Sequence, residues 1–150
     1  MPENKESLEN HLNELSDYFT DCPQESINAM TQPLFVRCDE EEKSCILAFN
    51  TDKRLENPNG TLHGGVIATM LDNAMGCMAN FYGEKKLTQT VSFQVSYLRP
   101  GAIGQEVMVK VQVTKQGRTM QYLNAEAWMK GKEEKKIATA TGVYFTQNLH

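Results

Sequence analysis

Histidine is scarce in this chain of 150 residues: His11, His63 and His150 are all it has. The four cysteines (Cys22, Cys38, Cys45 and Cys77) contain no CxxC pair. Zinc needs His and Cys ligands at local spacings that these few residues do not supply, so no metal is expected. Nor do four scattered cysteines make a disulfide scaffold; they read as reduced thiols, three of them buried. Cys77 as a nucleophile would need a histidine beside it. A basic excess is also missing, since 15 Lys and Arg stand against 19 Asp and Glu for a net charge of −4. Nucleic acid as main partner needs a basic field and is excluded, although a phosphorylated ligand needs only a few local cations. No apolar run approaches the ~20 residues of a membrane span. The opening MPENKESLENHLNELSDYF has no apolar core of signal-peptide length, so a cytoplasmic protein without membrane contact is expected.

What is present is ordinary globular material, with 40% hydrophobic and 23% charged residues in a length that suits one domain. Leu8, Leu12, Leu15 and Phe19 follow one another at steps of four, three and four, the stripe of an amphipathic helix. Pro23 and Pro33 bound the segment that follows. Residues 1–32 are therefore a helical extension, 33–146 the main body and 147–150 a tail. Leu34 to Cys38 and Ser44 to Asn50 flank the turn Asp39-Glu40-Glu41-Glu42 and read as a hairpin. After the polar loop 51–59, one long helix runs from about His63 to Tyr82, with Gly83 as its C-cap. The remainder alternates as strands do. Val91, Phe93, Val95 and Tyr97 form one series, Val107 to Val113 the next, and Leu123 to Met129 a third. Ile137, Thr139, Thr141, Val143 and Phe145 close the run. Breaks at Pro100-Gly101, Gly104, Gly117 and Gly131 supply turns. Period-two alternation means a sheet with two unlike faces, so the fold class is α+β: about six antiparallel strands wrapped on one helix, plus the N-terminal helix.

The long helix carries the chemistry. Gly64 and Gly65 open it, where the first backbone N–H groups have no intrahelical partner. Such a terminus can hold developing negative charge, or the glycines can serve only to let the helix approach the sheet. Ile67, Met70, Leu71, Ala74, Met78 and Phe81 form a broad core face. Gly65, Ala68, Thr69, Gly76 and Ala79 line the other side, with one carboxylate, Asp72, among them. That Asp is either a solvated surface group or a base or nucleophile facing a second surface. It lies eight residues after Gly64, ~12 Å along the axis, too far for both to act on one carbonyl. Two antiparallel helices related by a two-fold axis would solve this, each lending its Asp72 to the other's Gly64.

Asn57-Pro58-Asn59-Gly60-Thr61-Leu62-His63-Gly64-Gly65 followed by Asp72-Asn73 resembles the signature of PaaI-type thioesterases of the hot-dog fold. Thr88 to Pro100 (TQTVSFQVSYLRP), Gly104 and Lys115-Gln116-Gly117-Arg118-Thr119 continue the likeness, which covers roughly residues 33–146. The resemblance implies a curved antiparallel sheet around a helix, assembled as homodimers that pair into homotetramers. It implies hydrolysis of a small aromatic or medium-chain acyl-CoA, with coenzyme A part of the substrate and no cofactor. Gly64 would polarise the thioester carbonyl, and Asp72 of the neighbouring subunit would act as base or nucleophile. Asn57 would hold the water or the thioester, and Thr90 would orient the water, at a position where serine is familiar. His63 would anchor the loop, beside Gly65. Arg99, Lys115, Gly117 and Arg118 would lie near the CoA phosphates, unless these charges are merely solvated strand ends. An (R)-specific hydratase fits poorly, because Glu56 precedes Asn57-Pro58 and no Asp-His pair is near. The rival of another class is a non-catalytic acyl-CoA binding module, which would have no need of Asp72.

Overall fold

Ser7 accepts the Asn10 N–H at 3.2 Å and so starts α1, Leu8–Thr20, as an N-cap. The leucine stripe then does what its spacing predicts: Leu8 and Leu12 are buried, and Leu15 and Phe19 pack partly against the core. Burial of the two leucines alone contributes roughly 1.5–3 kcal/mol each. A one-turn α2, Ile27–Met30, follows under a Ser26 cap. The extension is fastened by polar contacts too. Asn73 donates to both the carbonyl (3.1 Å) and the hydroxyl (3.0 Å) of Thr31, and His11 Nε2 meets Asn80 Oδ1 at 3.0 Å. The Leu8 N–H donates to the Glu40 carboxylate.

The main body comprises β1 (Leu34–Asp39), β2 (Ser44–Phe49), α3 (Gly64–Tyr82), β3 (Leu87–Tyr97), β4 (Val107–Gln116), β5 (Met120–Met129) and β6 (Lys136–Gln147). This computed structural model describes residues 6–84 and 87–147, so the outermost part of the expected extension and all of the tail except Gln147 lie outside the described residues. The described strands form one antiparallel sheet, ordered β1-β2-β4-β5-β6-β3, that packs on α3. Ile67, Met70, Leu71, Ala74 and Met78 are buried as their spacing requires. Ala79, expected on the opposite side, is also fully buried. Two thiols rather than three lie in the interior, Cys45 and Cys77, with Cys22 and Cys38 half-buried. Among the described residues no helix is long and apolar enough to cross a membrane.

Strands β4 and β5 obey their alternation as far as Ala127, with Val107, Val109, Val111, Leu123, Ala125 and Ala127 turned inward; past a register shift with β6 between Ala127 and Trp128, Trp128 is buried as well. In β6 Ile137 is buried, but beyond it the phase is the reverse of the apolar one. Ala138, Ala140, Gly142, Tyr144 and Thr146 are turned inward, whereas Thr139, Thr141, Val143 and Phe145 are not fully buried. The reason is volume. A Cβ on Gly142 would come within 2.8 Å of the Tyr144 ring and 3.1 Å of Met75 Sδ, so α3 can approach this strand only over small residues. Gly83 works the same way. Its φ of −89° is ordinary, and a Cβ there would sit 2.3 Å from the Thr146 side chain. In β3 the pairing with β6 slips between Thr90 and Ser92, a bulge at Val91. One extra residue inverts the parity of everything before it. Thr90 contacts α3 from before the bulge, and Phe93, Val95 and Tyr97 do so from after it.

Candidate active site

The loop ahead of α3 is built around Asn57. Its Oδ1 accepts the N–H of Asn59 (2.9 Å) and of Thr61 (3.1 Å), and its Nδ2 donates to the Thr61 hydroxyl (2.8 Å). Gly60 closes the turn at φ +80°, in the left-handed region. His63 is the N-cap of α3: its Nδ1 accepts the Gly65 N–H at 3.1 Å, which leaves the ring proton on Nε2. The Gly65 donor is therefore used internally. Among the described residues no acceptor meets the Gly64 N–H, and the Tyr97 hydroxyl donates to the Gly64 carbonyl at 2.6 Å. The start of α3 thus presents one free backbone donor under an aromatic ring.

Midway along α3 lies Asp72, half-buried. Thr90 donates to its Oδ1 at 2.8 Å, and Tyr144 donates to the same oxygen at 2.8 Å. The Tyr144 hydroxyl is also 3.3 Å from the Asp72 carbonyl. Among the described residues no donor meets Oδ2. Two hydroxyls therefore fix the carboxylate through one oxygen and leave the other to accept a proton or attack a carbon. Burial first, then the Asp72 charge and hydrogen bond, push the Tyr144 hydroxyl well above the usual phenol range, so it remains a donor. Burial pushes the Cys77 thiol, one turn further on, up to about 12, which makes it a poor nucleophile at neutral pH.

Asp72 and Thr90 are thus brought together, and Asn57, His63, Gly64 and Gly65 form a second group at the helix start. The expected cations divide. Arg99 is exposed just past β3 and donates to the Lys136 carbonyl at 3.0 Å, at the same end as Gly64. Lys115, Gly117 and Arg118 occupy the β4–β5 turn. There the Gly117 N–H donates to the Met120 carbonyl at 2.8 Å, Lys115 lies over the Tyr122 ring, and Arg118 is exposed. That turn is at the far end of α3, where Gln116 donates to the Tyr82 carbonyl at 2.9 Å. A helix of 19 residues separates the two ends by about 28 Å, so these cations cannot converge within one chain.

Two residues of this arrangement escaped the sequence reading: Tyr144, which sits in the inward phase of β6, and Tyr97. A tyrosine in step with Ala138, Ala140 and Gly142 was the available signal for the first.

The Thioesterase superfamily profile matches residues 59–136, more than half of the chain. Acyl-coenzyme A thioesterase 13 of Homo sapiens is 28% identical over 106 residues, covering 70% of this chain and 69% of its own. The PaaI protein from the phenylacetic acid degradation operon of E. coli superposes with a TM-score of 0.75 at 18% identity, over 95% of this chain and 97% of its own. A Streptococcus mutans protein bound to acetyl CoA superposes with a TM-score of 0.68 at 21% identity, over 77% and 89%. With the family profile over its centre and the PaaI-type hot-dog architecture over nearly all its length, this chain belongs to the thioesterase superfamily.

Proposed function

We propose that this enzyme hydrolyses the thioester of a small aromatic or medium-chain acyl-CoA, releasing the free acid and CoA, at a site shared between two subunits. The observation that carries the reading is Asp72, oriented through Oδ1 by Thr90 and Tyr144, with Oδ2 unengaged in the described chain. It acts as general base on water or as nucleophile on the thioester carbon. The Gly64 N–H, at the positive end of the α3 dipole, receives the oxyanion. His63 and Asn57 hold that donor in place, and Asn57 additionally contacts the water or thioester. Thr90 shares its hydroxyl between the carboxylate and the water.

Three observations favour two subunits. Gly64 and Asp72 are ~12 Å apart on one helix. Arg99 and the Lys115–Arg118 turn lie at opposite ends of α3, so antiparallel pairing brings the partner's turn to this chain's Gly64 and Arg99. The β3 edge exposes Val91 (54%), Tyr97 (52%) and Leu98 (54%), apolar surface suited to a second copy. Pairing of two dimers through the outer sheet face gives the tetramer, in the cytoplasm, with CoA entering only as substrate.

Asp72→Asn tests the chemistry. The variant folds, and kcat on acyl-CoA falls on the order of 10² or more; full activity in a folded variant removes Asp72 from the mechanism. Subunit sharing is tested by co-expressing Asp72→Asn with Gly64→Pro, which lacks the N–H and is tolerated in a first helical turn. In a mixed dimer one site carries both lesions and the other carries neither, so random mixing restores about 25% of wild-type activity. Recovery near zero with mixed dimers present sinks the shared site.

A further inference from the structure

Asp72, Thr90 and Tyr144 lie along one side of a cleft of about 510 Å³, and across it stand Leu15, Tyr18 and Phe19 of the N-terminal helix. Resting on the thioesterase reading above, we propose that this face of α1 is the wall that receives the acyl group and selects uncharged, apolar acyl chains larger than acetyl.

Positions 15, 18 and 19 are spaced i, i+3, i+4 and therefore share one side of the helix. Tyr18 is 66% exposed, an unusual exposure for so large a side chain beside a cleft, and it meets Phe19 edge-on at 6.0 Å between ring centroids. The floor between this wall and the carboxylate is Gly76 and Cys77, small and uncharged. Among the described residues Asp72 is the one acidic side chain lining the cleft, and none of the lining residues is Lys or Arg. The described lining therefore offers the CoA nucleotide no phosphate partner, whereas a hydrocarbon or aryl group gains apolar contact. A dicarboxylic acyl group would bring a second negative charge beside Asp72, with no cation among the described lining residues to offset it. The wall is also held in register with the carboxylate. Asn73, adjacent to Asp72, is bonded to Thr31, and Asn80 at the far end of the cleft is bonded to His11. Both anchors tie the extension to α3 itself.

The test is kcat/KM of the full chain with acetyl-, octanoyl-, phenylacetyl- and succinyl-CoA, for wild type, Tyr18→Ala and Phe19→Ala. Wild type should prefer octanoyl- or phenylacetyl-CoA, and the two distinguish an alkyl from an aryl occupant. Each variant should lower kcat/KM for the preferred esters by about tenfold or more and move acetyl-CoA by less than about twofold, the span that pocket contacts set. Phe19 packs partly on the core, so its variant tests fold and wall together; exposed Tyr18 tests the wall with little risk to the fold. A wild type that hydrolyses every ester, with variants that leave all four unchanged or lower all four alike, overturns the wall and leaves the thioesterase standing. A wild type that prefers succinyl- or acetyl-CoA overturns it as well. Failure to hydrolyse any of the four overturns both readings.

Discussion

In β4 and β5 the inward side chains are Val107, Val109, Val111 and Leu123 with Ala125 and Ala127, whereas β6 turns Ala138, Ala140, Gly142 and Tyr144 toward α3 and β3 brings Thr90 to Asp72 beside Phe93, Val95 and Tyr97. The first half of the sheet fills space chiefly with branched aliphatics, and none of its described residues reaches Asp72. In the second, Ala138, Ala140 and Gly142 of β6 give up volume and let the helix come close, and Thr90 and Tyr144 aim two hydroxyls at one carboxylate oxygen. Core packing and the candidate site therefore use the same helix from different strands. Damage to each half should separate into loss of stability and loss of activity.

The largest effect comes from breaking that division on both sides. Leu123→Ala in β5 deletes a fully buried side chain and costs ~2–5 kcal/mol. Hydrolysis per folded molecule stays near wild type, as read by denaturant unfolding beside initial rates. Gly142→Val in β6 would place a Cβ 2.8 Å from the Tyr144 ring, an overpacking that costs about 1–3 kcal/mol. It also displaces Tyr144 from Asp72, so kcat drops on the order of tenfold or more among folded molecules. Equal loss of kcat in the two variants would mean that the halves are not distinct.

The same division decides what could be read from residues alone. Where packing is the main demand, pattern and structure largely agree: the α1 stripe and the alternation of β4 stand as read, while on α3 Ala79 joins the core and Phe81 is only half-buried, and on β5 Trp128 is buried out of phase. The glycines and His63 at the start of α3 were legible because helix ends have obligatory chemistry. Departures concentrate beside Asp72. In β6 Thr139, Thr141, Val143 and Phe145 occupy the outer phase, so propensity pointed to the wrong face there, while close packing against α3 demanded Ala and Gly at 138, 140 and 142. The Val91 bulge has no glycine or proline to announce it, and without it Thr90 and Phe93 would face opposite ways. The division of Arg99 from Lys115 and Arg118 between two ends of α3 depends on strand order, which local pattern does not carry. Conflict between local preference and final structure marks the site, as expected where function overrides packing.

A smaller effect sharpens the comparison inside the active half. Tyr144→Phe keeps the ring that fills the space over Gly76 and removes only the hydroxyl. A hydrogen bond to a charged group contributes about 1.5–3 kcal/mol, so kcat should fall by roughly 10- to 100-fold. KM should hold, because the hydroxyl positions Asp72 and touches no substrate group in this mechanism. Thr90→Ser retains a donor and should stay near wild type, whereas Thr90→Val should not. A rise in KM at constant kcat would place Tyr144 in binding instead.

The smallest effect concerns how the extension is held against this half. His11 is buried on α1, with Asn80 at 3.0 Å, Glu6 at 3.7 Å from Nδ1 and the Phe81 ring at 5.5 Å. Burial lowers its pKa below the ordinary 6.5, and the Asn80 hydrogen bond and the Glu14 charge only partly offset that. The sign follows from proton counting. Below pH 6.5 the unfolded chain takes up a proton that the folded chain still refuses, so stability falls as pH drops from there toward the folded pKa. Above 6.5 both states are neutral at this residue and the contribution is constant. One proton limits the slope to about 1.4 kcal/mol per pH unit. Denaturant unfolding of wild type and His11→Gln at pH 7.5 and 5.5 measures it; the glutamine keeps a polar partner for Asn80 and cannot titrate. Wild type should lose more stability than the variant between the two pH values. Identical losses would show that His11 does not couple the docking of α1 to protons. A larger loss in the variant would reverse the sign and mean that the charged imidazole, held by Glu6 and Glu14, is the folded form.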